Sequence, residues 1–230
     1  MPRTGSAETP TVDVSAPAPR RLGILGGTFN PPHLGHLALA RHAARELALE
    51  HVLLIPARLP PHKTAVEDPG APRRLAMCHL LTDGEEGVGV GALELERDGP
   101  SYTVDTLRAL HAAHPHTSLT FILGADIART LPAWREPLQL LELAELAVAL
   151  RAASTADEVL ADLAPLRDAS GRGRGRVRFL SMPLLDVSSS LVRERVQRGA
   201  SIAQLVGPAV AAYVEAHQLY RARVTEGSAS

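Results

Sequence analysis

Short apolar runs alternate with helix-like patterns along most of the chain. The apolar runs predict buried strands, because strands covered on both faces read as continuous hydrophobic stretches. They span 22–25, 51–56, 87–95, 119–123, 144–150 and 177–180. Apolar residues that recur at the spacing of helical turns predict helices at 35–47, 71–81, 102–113, 134–143, 155–166, 188–198 and 208–218. This alternation predicts an α/β fold with a parallel sheet covered by helices on both faces.

The remaining stretches indicate where the domain begins and ends. Residues 1–20 are rich in Pro, Ala, Thr and Ser and lack the apolar core of a signal peptide, which predicts a disordered tail. We expect one Rossmann-like, doubly wound domain at 21–220, ending in a C-terminal helical segment, and a disordered C-terminus at 221–230. The proline-rich 57–70 predicts a long loop. The Gly/Arg run at 171–176 could touch nucleic acid, but a solvated linker is the favoured interpretation.

Composition and charge narrow the function. The 230 residues carry a formal net charge of −1, so no global field favours nucleic acid or a membrane surface. Cys78 is the single cysteine, which rules out an internal disulfide and fits a reducing, cytoplasmic setting. It lies in an apolar helical pattern, which favours a buried core position over a nucleophile. No apolar run is long enough to span a membrane.

The most informative stretch is GGTFNPPHLGH at 26–36, between the first strand and the first helix. Its glycine pair predicts a tight turn, because glycine tolerates positive φ and close backbone approach. The helix N-terminus that follows presents unpaired N–H groups and positive potential, which suit a phosphate. Two histidines at that terminus can donate hydrogen bonds to the same anion. The predicted phosphate-site residues here are Gly26, Gly27, Thr28, Phe29, His33 and His36.

A second phosphate signal is DVSSSLVR at 186–193. Ser188, Ser189 and Ser190 stand where a helix is predicted to begin, so their hydroxyls can cap that helix or bind phosphate. Arg193, one turn later, can reach the same phosphate with a bidentate pair of donors. On these residues alone, an ordinary helix cap with a surface arginine is equally favoured.

These motifs resemble a known superfamily. GGTFNPPHLGH matches the N-terminal G-G-x-F-(D/N)-P-x-H-x-G-H of the H-x-G-H nucleotidyltransferases, and DVSSSLVR is similar to their C-terminal I-S-S-T-x-[IL]-R. Further segments resemble one family within it, the bacterial nicotinate-nucleotide adenylyltransferases: LPPHK at 59–63, PSYT at 100–103, GAD at 124–126 and LPAWRE at 131–136. The chain departs from that family at Asn30, where many members have Asp, and at Ala152 and Ala153, which replace a common arginine and proline.

The resemblance implies transfer of AMP from ATP to nicotinate mononucleotide, with pyrophosphate leaving. It assigns His36, His33, Lys63 and Arg193 to catalysis, and Gly124 and Asp126, besides the glycine stretch and the serines, to ATP binding. His36 would act at the α-phosphate, Lys63 over both substrates and Arg193 on the β/γ side. Asp126 would accept hydrogen bonds from the ribose hydroxyls. Mg²⁺ is expected with ATP, which supplies most of its ligands, and no metal ligand is expected from the protein.

The acceptor pocket is expected to hold a flat pyridine ring with a carboxylate. The resemblance implies that the backbone amides of Tyr102 and Thr103 bind the carboxylate and that Trp134 stacks on the ring. For Trp134 alone, core packing is the simpler interpretation, because only 3% of the residues are aromatic.

Several alternatives stay open at this point. Nicotinamide mononucleotide or phosphopantetheine could be the acceptor, and the chain could be a nucleotide-sensing module without catalysis. Intact His33, His36, Lys63 and Arg193 argue against the last of these. A homo-oligomer is left open, and no nucleic acid or membrane partner is expected.

Overall fold

The computed structural model describes residues 19–60, 67–150, 155–169, 177–181 and 186–221. Predictions that fall outside these ranges concern Lys63, Ala152 and Ala153, the Gly/Arg run 171–176, and the terminal stretches 1–18 and 222–230. Among the described residues, no helix combines the length and the apolar character needed to cross a membrane.

The described residues contain one six-stranded sheet in the order β3-β2-β1-β4-β5-β6. Its strands are β1 (Arg21–Gly27), β2 (His51–Pro56), β3 (Val88–Val90), β4 (Ser118–Gly124), β5 (Ala144–Leu150) and β6 (Val177–Ser181). Every neighbouring pair is parallel, so all carboxyl ends lie at one edge. The chain reverses its direction of sheet growth between β1 and β4, and such a switch point is where doubly wound sheets bind ligands. The predicted Rossmann-like α/β fold is confirmed.

Helices cover both faces of this sheet. In the described part of the chain they are α1 (Leu34–Glu46), α2 (Ala71–Thr82), α3 (Thr103–Ala113), α4 (Ala125–Ala128), α5 (Pro137–Leu143), α6 (Ala156–Ala169), α7 (Ser189–Gln197), α8 (Ala203–Val206) and α9 (Pro208–Ala216). A 3₁₀ turn covers Leu131–Ala133.

The core divides into two layers, one on each face. Val52 and Leu54 of β2 pack with α1, α2 and α7 to α9, whereas Leu53 and Ile55 pack with α3 to α6. Successive side chains of a strand point to opposite faces, so an uninterrupted apolar run supplies both layers. Cys78 is fully buried in the first layer, as predicted, and this burial raises the pKa of its thiol.

The strand predicted at 87–95 is wrong in its extent, since β3 ends at Val90. Beyond it, Ala92 begins a turn, and its carbonyl accepts hydrogen bonds from the N–H groups of Leu95 and Glu96. β3 is an edge strand with one neighbour. Its glycine-rich sequence offers few side chains to pack, which shortens a strand.

The helix predicted at 134–143 begins three residues later than expected, at Pro137. Glu136 before it is left-handed, with φ of 49°. A residue that precedes proline is disfavoured in the α region, whereas proline itself suits the first helical turn. The short α4 and α8 were not predicted, because four residues carry no readable period.

Candidate active site

The loop after β1 carries the histidine motif, but glycine does not make its turn. Gly26 and Gly27 are the last residues of β1 and pair with β2. The left-handed residue is Phe29, with φ of 51°, so the predicted glycine turn is wrong. The glycines allow close packing against two aromatic rings instead. An added Cβ would lie 3.3 Å from the Phe121 ring at Gly26 and 3.2 Å from the Phe29 ring at Gly27.

The two histidines stack at the start of α1. His33 is the N-cap residue, and its ring lies 3.7 Å from that of His36 between centroids, at an interplanar angle of 28°. The Phe29 ring meets His36 edge-on at 4.8 Å. The backbone N–H of His33 donates to Nδ1 of His36 over 3.1 Å. Because Nδ1 accepts, the proton of this imidazole is on Nε2, which gives His36 a defined N–H donor.

The serine motif packs directly on the histidine loop. A Cβ added to Gly35 would lie 2.9 Å from Cγ1 of Val187, so only glycine allows this approach. The hydroxyl of Ser189 donates to the carbonyl of Pro31 over 2.8 Å. Two segments more than 150 residues apart in the chain therefore share one site.

The remaining members of the serine motif hold α7 and its arginine. Ser188 is the N-cap of α7 and accepts from the N–H of Leu191 over 3.1 Å. Arg193 donates to the carbonyl of Asn30 over 2.7 Å and to the hydroxyl of Ser190 over 3.2 Å. The hydroxyls of Ser188 and Ser190 act as acceptors here, so their own protons can be donated to a ligand.

Arg74 is a site residue that the sequence analysis missed. Its guanidinium is fully buried and donates to the Thr28 carbonyl over 2.7 Å, to Asp68 over 2.9 Å and to the Arg58 carbonyl over 3.2 Å. It thus joins the loop after β1 to the loop after β2. A signal was present, because Arg74 occupies a core position in the helical pattern that includes Cys78.

Tyr220 is the second residue that was missed. It is 6% exposed, and its hydroxyl donates to Oδ1 of Asn30 over 2.7 Å. Burial raises the pKa of Tyr220 and keeps the hydroxyl protonated as a donor. The two residues are 190 positions apart, and no sequence pattern links them. The end of the described chain therefore anchors the histidine loop at Asn30.

The predicted acceptor side begins at Ser101, the residue before the N-cap of α3. Tyr102 is the N-cap residue, and Thr103 is the first residue of the helix. The Ser101 hydroxyl accepts from the backbone N–H of Arg58 over 2.9 Å. Arg58 also supplies the carbonyl that Arg74 binds, so this side is connected to the histidine loop through paired backbone groups.

Tyr102 and Trp134 lie in neighbouring segments. The guanidinium of Arg135 lies over the Tyr102 ring at 4.7 Å. Trp134 is half-buried, donates from Nε1 to the Thr130 hydroxyl over 3.0 Å and meets the Phe121 ring edge-on at 6.1 Å between centroids. One part of the indole therefore packs on the core and another part stays accessible to a ligand.

The predicted ribose site lies at the same edge of the sheet. Gly124 ends β4 and is the N-cap residue of α4, and Asp126 is exposed in the first turn of that helix. Lys63 lies outside the described residues, so its place in the site stays a prediction.

Known proteins resemble this chain over most of its length. Residues 24–195 match the family model described as cytidylyltransferase-like. A probable nicotinate-nucleotide adenylyltransferase of Synechococcus sp. (strain JA-3-3Ab) is 41% identical over 208 residues, covering 89% of this chain and 96% of that relative. The chain belongs to the nicotinate-nucleotide adenylyltransferase family. The family predicted from its motifs is thereby confirmed.

Further relatives agree with this membership. A probable nicotinate-nucleotide adenylyltransferase of Geobacillus thermodenitrificans (strain NG80-2) is 37% identical, covering 89% of this chain and 88% of its own. The solved structure of Plasmodium falciparum nicotinic acid mononucleotide adenylyltransferase complexed with NaAD has a TM-score of 0.70 at 17% identity, covering 87% of this chain and 97% of that one. At this identity the likeness concerns the fold.

The site offers histidine and arginine donors rather than a cage of metal ligands. Among the described residues, no three His, Cys, Asp or Glu side chains are grouped so that they could hold a metal ion.

Proposed function

We propose that this adenylyltransferase moves AMP from ATP to nicotinate mononucleotide, giving nicotinate adenine dinucleotide and pyrophosphate in NAD biosynthesis. The observation that carries the proposal is the donor set at the start of α1. His36 accepts from the backbone N–H of His33, and the guanidinium of Arg193 donates to the carbonyl of Asn30, so both side chains contact the segment GGTFNPPHLGH. Such a cluster suits a polyphosphate, whose charge the donors and the helix N-terminus stabilise together.

The reaction needs positioning more than acid–base chemistry. A phosphate oxygen of the mononucleotide attacks the α-phosphorus of ATP in line. A new P–O bond forms as the bond to the β-phosphate bridging oxygen breaks, and pyrophosphate carries away the electron pair. The nucleophile is already an anion, so no general base is required. Catalysis then rests on alignment and on stabilising charge at the equatorial and leaving oxygens.

The residues divide this work by position. His36 would donate to the α-phosphate, with His33 beside it, and Arg193 would hold the β/γ side together with the N-terminus of α7. Lys63 would add charge over both substrates. Mg²⁺ would enter with ATP and neutralise part of the triphosphate charge. Asp126 would accept from the ribose hydroxyls.

The acceptor half would use N–H donors and an aromatic face. Backbone amides of Tyr102 and Thr103 at the start of α3 would bind the nicotinate carboxylate, and the accessible part of Trp134 would stack on the pyridine. A site of donors suits a carboxylate, whereas the NH₂ of nicotinamide would meet other donors. Mismatched buried polar groups cost about 1–3 kcal/mol each. Two of them give discrimination on the order of a thousandfold in kcat/KM.

The test is pyrophosphate release from ATP and Mg²⁺ with each candidate acceptor. We expect nicotinate mononucleotide to exceed nicotinamide mononucleotide by about a thousandfold in kcat/KM, and phosphopantetheine to be inert. Trp134→Ala should raise the KM for the mononucleotide and leave the KM for ATP nearly unchanged, and Trp134→Phe, which keeps a ring, should recover most of the loss. Equal kcat/KM for the two mononucleotides, or a Trp134→Ala defect confined to ATP, would contradict the proposal.

A further inference from the structure

A buried carboxyl group lies behind the predicted acceptor site. Glu94 is 7% exposed and belongs to the turn that follows β3. The hydroxyl of Thr106 donates to its Oε1 over 2.7 Å. The Ser101 side chain also lies within reach of Glu94 and acts to lower the pKa of its carboxyl. Burying a carboxyl group is unfavourable unless its oxygens accept hydrogen bonds. These two hydroxyls therefore lower the free-energy cost of burying Glu94.

The two hydroxyls bracket the residues that would bind the nicotinate carboxylate. Ser101 immediately precedes Tyr102, and Thr106 lies one turn into α3. Since the Ser101 oxygen already accepts from the Arg58 N–H over 2.9 Å, its single proton is the group that it offers to Glu94. The carboxyl of Glu94 thus connects the loop before Tyr102 with the helix after Thr103.

The surroundings of Glu94 act on the pKa of its carboxyl in opposite directions. Burial raises the pKa of Glu94, while the hydrogen bonds from Thr106 and Ser101 and the positive charge of Arg97 act in the opposite direction. Both hydroxyls, at 2% and 8% exposure for Thr106 and Ser101, are shielded from water. Water therefore does not readily replace Glu94 as their partner.

We infer that Glu94 is a positioning residue for the acceptor half of the site. It fixes the backbone N–H groups of Tyr102 and Thr103 by holding the hydroxyls on either side of them. Its effect falls on the mononucleotide and not on ATP, whose site is built on the loops after β1 and β4. This inference rests on the proposed function, because it takes nicotinate mononucleotide as the molecule that those N–H groups bind.

The experiment measures KM for each substrate separately in Glu94→Gln and in Thr106→Val. Both variants should raise the KM for nicotinate mononucleotide by about tenfold, the scale of one lost buried hydrogen bond. The KM for ATP should stay within about twofold of the wild-type value. Thr106→Ser, which keeps the hydroxyl, should recover most of the mononucleotide KM.

The matched control is Thr82→Val. Thr82 is a buried threonine of α2, and its hydroxyl donates to the Cys78 carbonyl over 3.1 Å, far from the acceptor loop. Thr82→Val replaces a buried hydroxyl by a methyl group, as Thr106→Val does, and should leave both KM values unchanged. Titration calorimetry of nicotinate mononucleotide on the same variants gives affinity without turnover.

The outcomes separate this inference from the proposed function. Folded Glu94→Gln and Thr106→Val with unchanged mononucleotide KM overturn the positioning role, as does an equal rise in both KM values. If Glu94→Gln does not fold, Thr106→Val and its Thr106→Ser partner decide the question alone. A wild-type protein that binds nicotinate mononucleotide but releases no pyrophosphate with it contradicts the proposed function independently of these variants.

Discussion

His36 serves both the fold and the proposed chemistry. Its Nδ1 accepts from the backbone of His33, so the ring satisfies one of the unpaired N–H groups at the start of α1. That same hydrogen bond leaves the ring proton on Nε2. A residue with two such roles is best tested by measuring turnover and folding on the same variant.

We predict that His36→Ala lowers kcat by about 100- to 1000-fold, the usual cost of removing one donor that stabilises charge in the transition state. The variant should stay folded, with a small loss of melting temperature from the weakened helix start. His111→Ala, which removes an exposed histidine from the last turn of α3, is the control and should keep wild-type turnover. Near-normal kcat in His36→Ala would remove this residue from the mechanism.

Glu94 gives a prediction about pH and stability. The pKa of its carboxyl is raised by burial, so the folded protein keeps this proton to a higher pH than the unfolded chain does. Between the two pKa values the folded state binds more protons, and the free energy of unfolding falls as pH rises. Glutamine does not titrate, so the free energy of unfolding of Glu94→Gln does not fall in this way as pH rises. Its stability relative to wild type should therefore improve as pH rises from about 4, the ordinary carboxyl range, and then level off.

Urea unfolding at a series of pH values checks this prediction. The quantity to compare is the difference in the free energy of unfolding between Glu94→Gln and the wild type. Only its change with pH tests the prediction, because the altered hydrogen bonds of the glutamine shift this difference by a constant amount at every pH. A difference that stays flat would show that Glu94 ionises as readily in the folded protein as in the unfolded chain, and one that moves in favour of the wild type as pH rises would show that it ionises more readily when folded.

Single residues also show what a sequence can and cannot reveal. The meeting of the histidine and serine motifs was predictable, because residues that follow parallel strands and residues at helix starts gather at one edge of the sheet. The partners of Arg74 and Tyr220 were not predictable. Arg74 binds a backbone carbonyl 46 residues away and Tyr220 an amide 190 residues away. Neither contact produces a periodic pattern in the sequence.

At the scale of elements, α2 connects the loops that form the site. Arg74, in its first turn, binds the carbonyls of Thr28 and Arg58 and the carboxylate of Asp68. These groups come from the loops after β1 and β2. Since the guanidinium is fully buried, water does not replace it when it is removed.

We predict that Arg74→Met lowers the free energy of unfolding by about 3–5 kcal/mol, because it leaves a carboxylate and two carbonyls without their donor. Urea denaturation measures this loss, and turnover should fall with it as the histidine loop loses its support. Arg73→Met changes the preceding, exposed residue of the same helix and should cost less than about 0.5 kcal/mol. Equal losses in the two variants would show that the buried contacts of Arg74 do not stabilise the fold.

Element boundaries limited the sequence prediction more than element types did. Periodicity located the helix of 137–143 but not its start, because the left-handed Glu136 and the proline after it act on the backbone and not on the apolar pattern. The glycine pair at 26–27 was expected to turn the chain. It ends a strand instead, and aromatic rings pack closely against it, at 3.3 Å and 3.2 Å from an added Cβ.

At the scale of the whole molecule, the histidine and serine motifs and the proposed acceptor residues are carried by opposite faces of the sheet. The histidine and serine motifs begin α1 and α7 on one face, whereas α3 and Trp134 belong to the other layer of the core. The loops after β1 and β4 meet where the strand order reverses. A reaction between two nucleotides suits such a site, because groups from both layers reach the sheet edge where the reacting phosphates would meet.

The last prediction concerns where the folded molecule begins. Pro19 and Arg20, expected to be part of the tail, are hydrogen-bonded: the Pro19 carbonyl accepts from the Thr117 hydroxyl over 2.7 Å, and the Arg20 N–H donates to Glu50 over 3.0 Å. The Arg20 carbonyl accepts from the N–H of Ser118 over 2.8 Å. Residues 1–18 have no apolar period, so we predict that deleting them leaves melting temperature and turnover unchanged.

Deleting residues 1–20 is the sharper comparison, because it removes these three hydrogen bonds as well. They contribute about 1–2 kcal/mol together, which should lower the melting temperature by about 2–8 °C in a chain of this length. Turnover at 25 °C should stay normal, since the lost contacts lie at the amino ends of β1 and β4, opposite the site. A large loss of stability on deleting 1–18 alone would show that the preceding residues dock on the domain. Equal melting temperatures for the two deletions would show that Pro19 and Arg20 do not stabilise the fold and that the folded unit begins at Arg21.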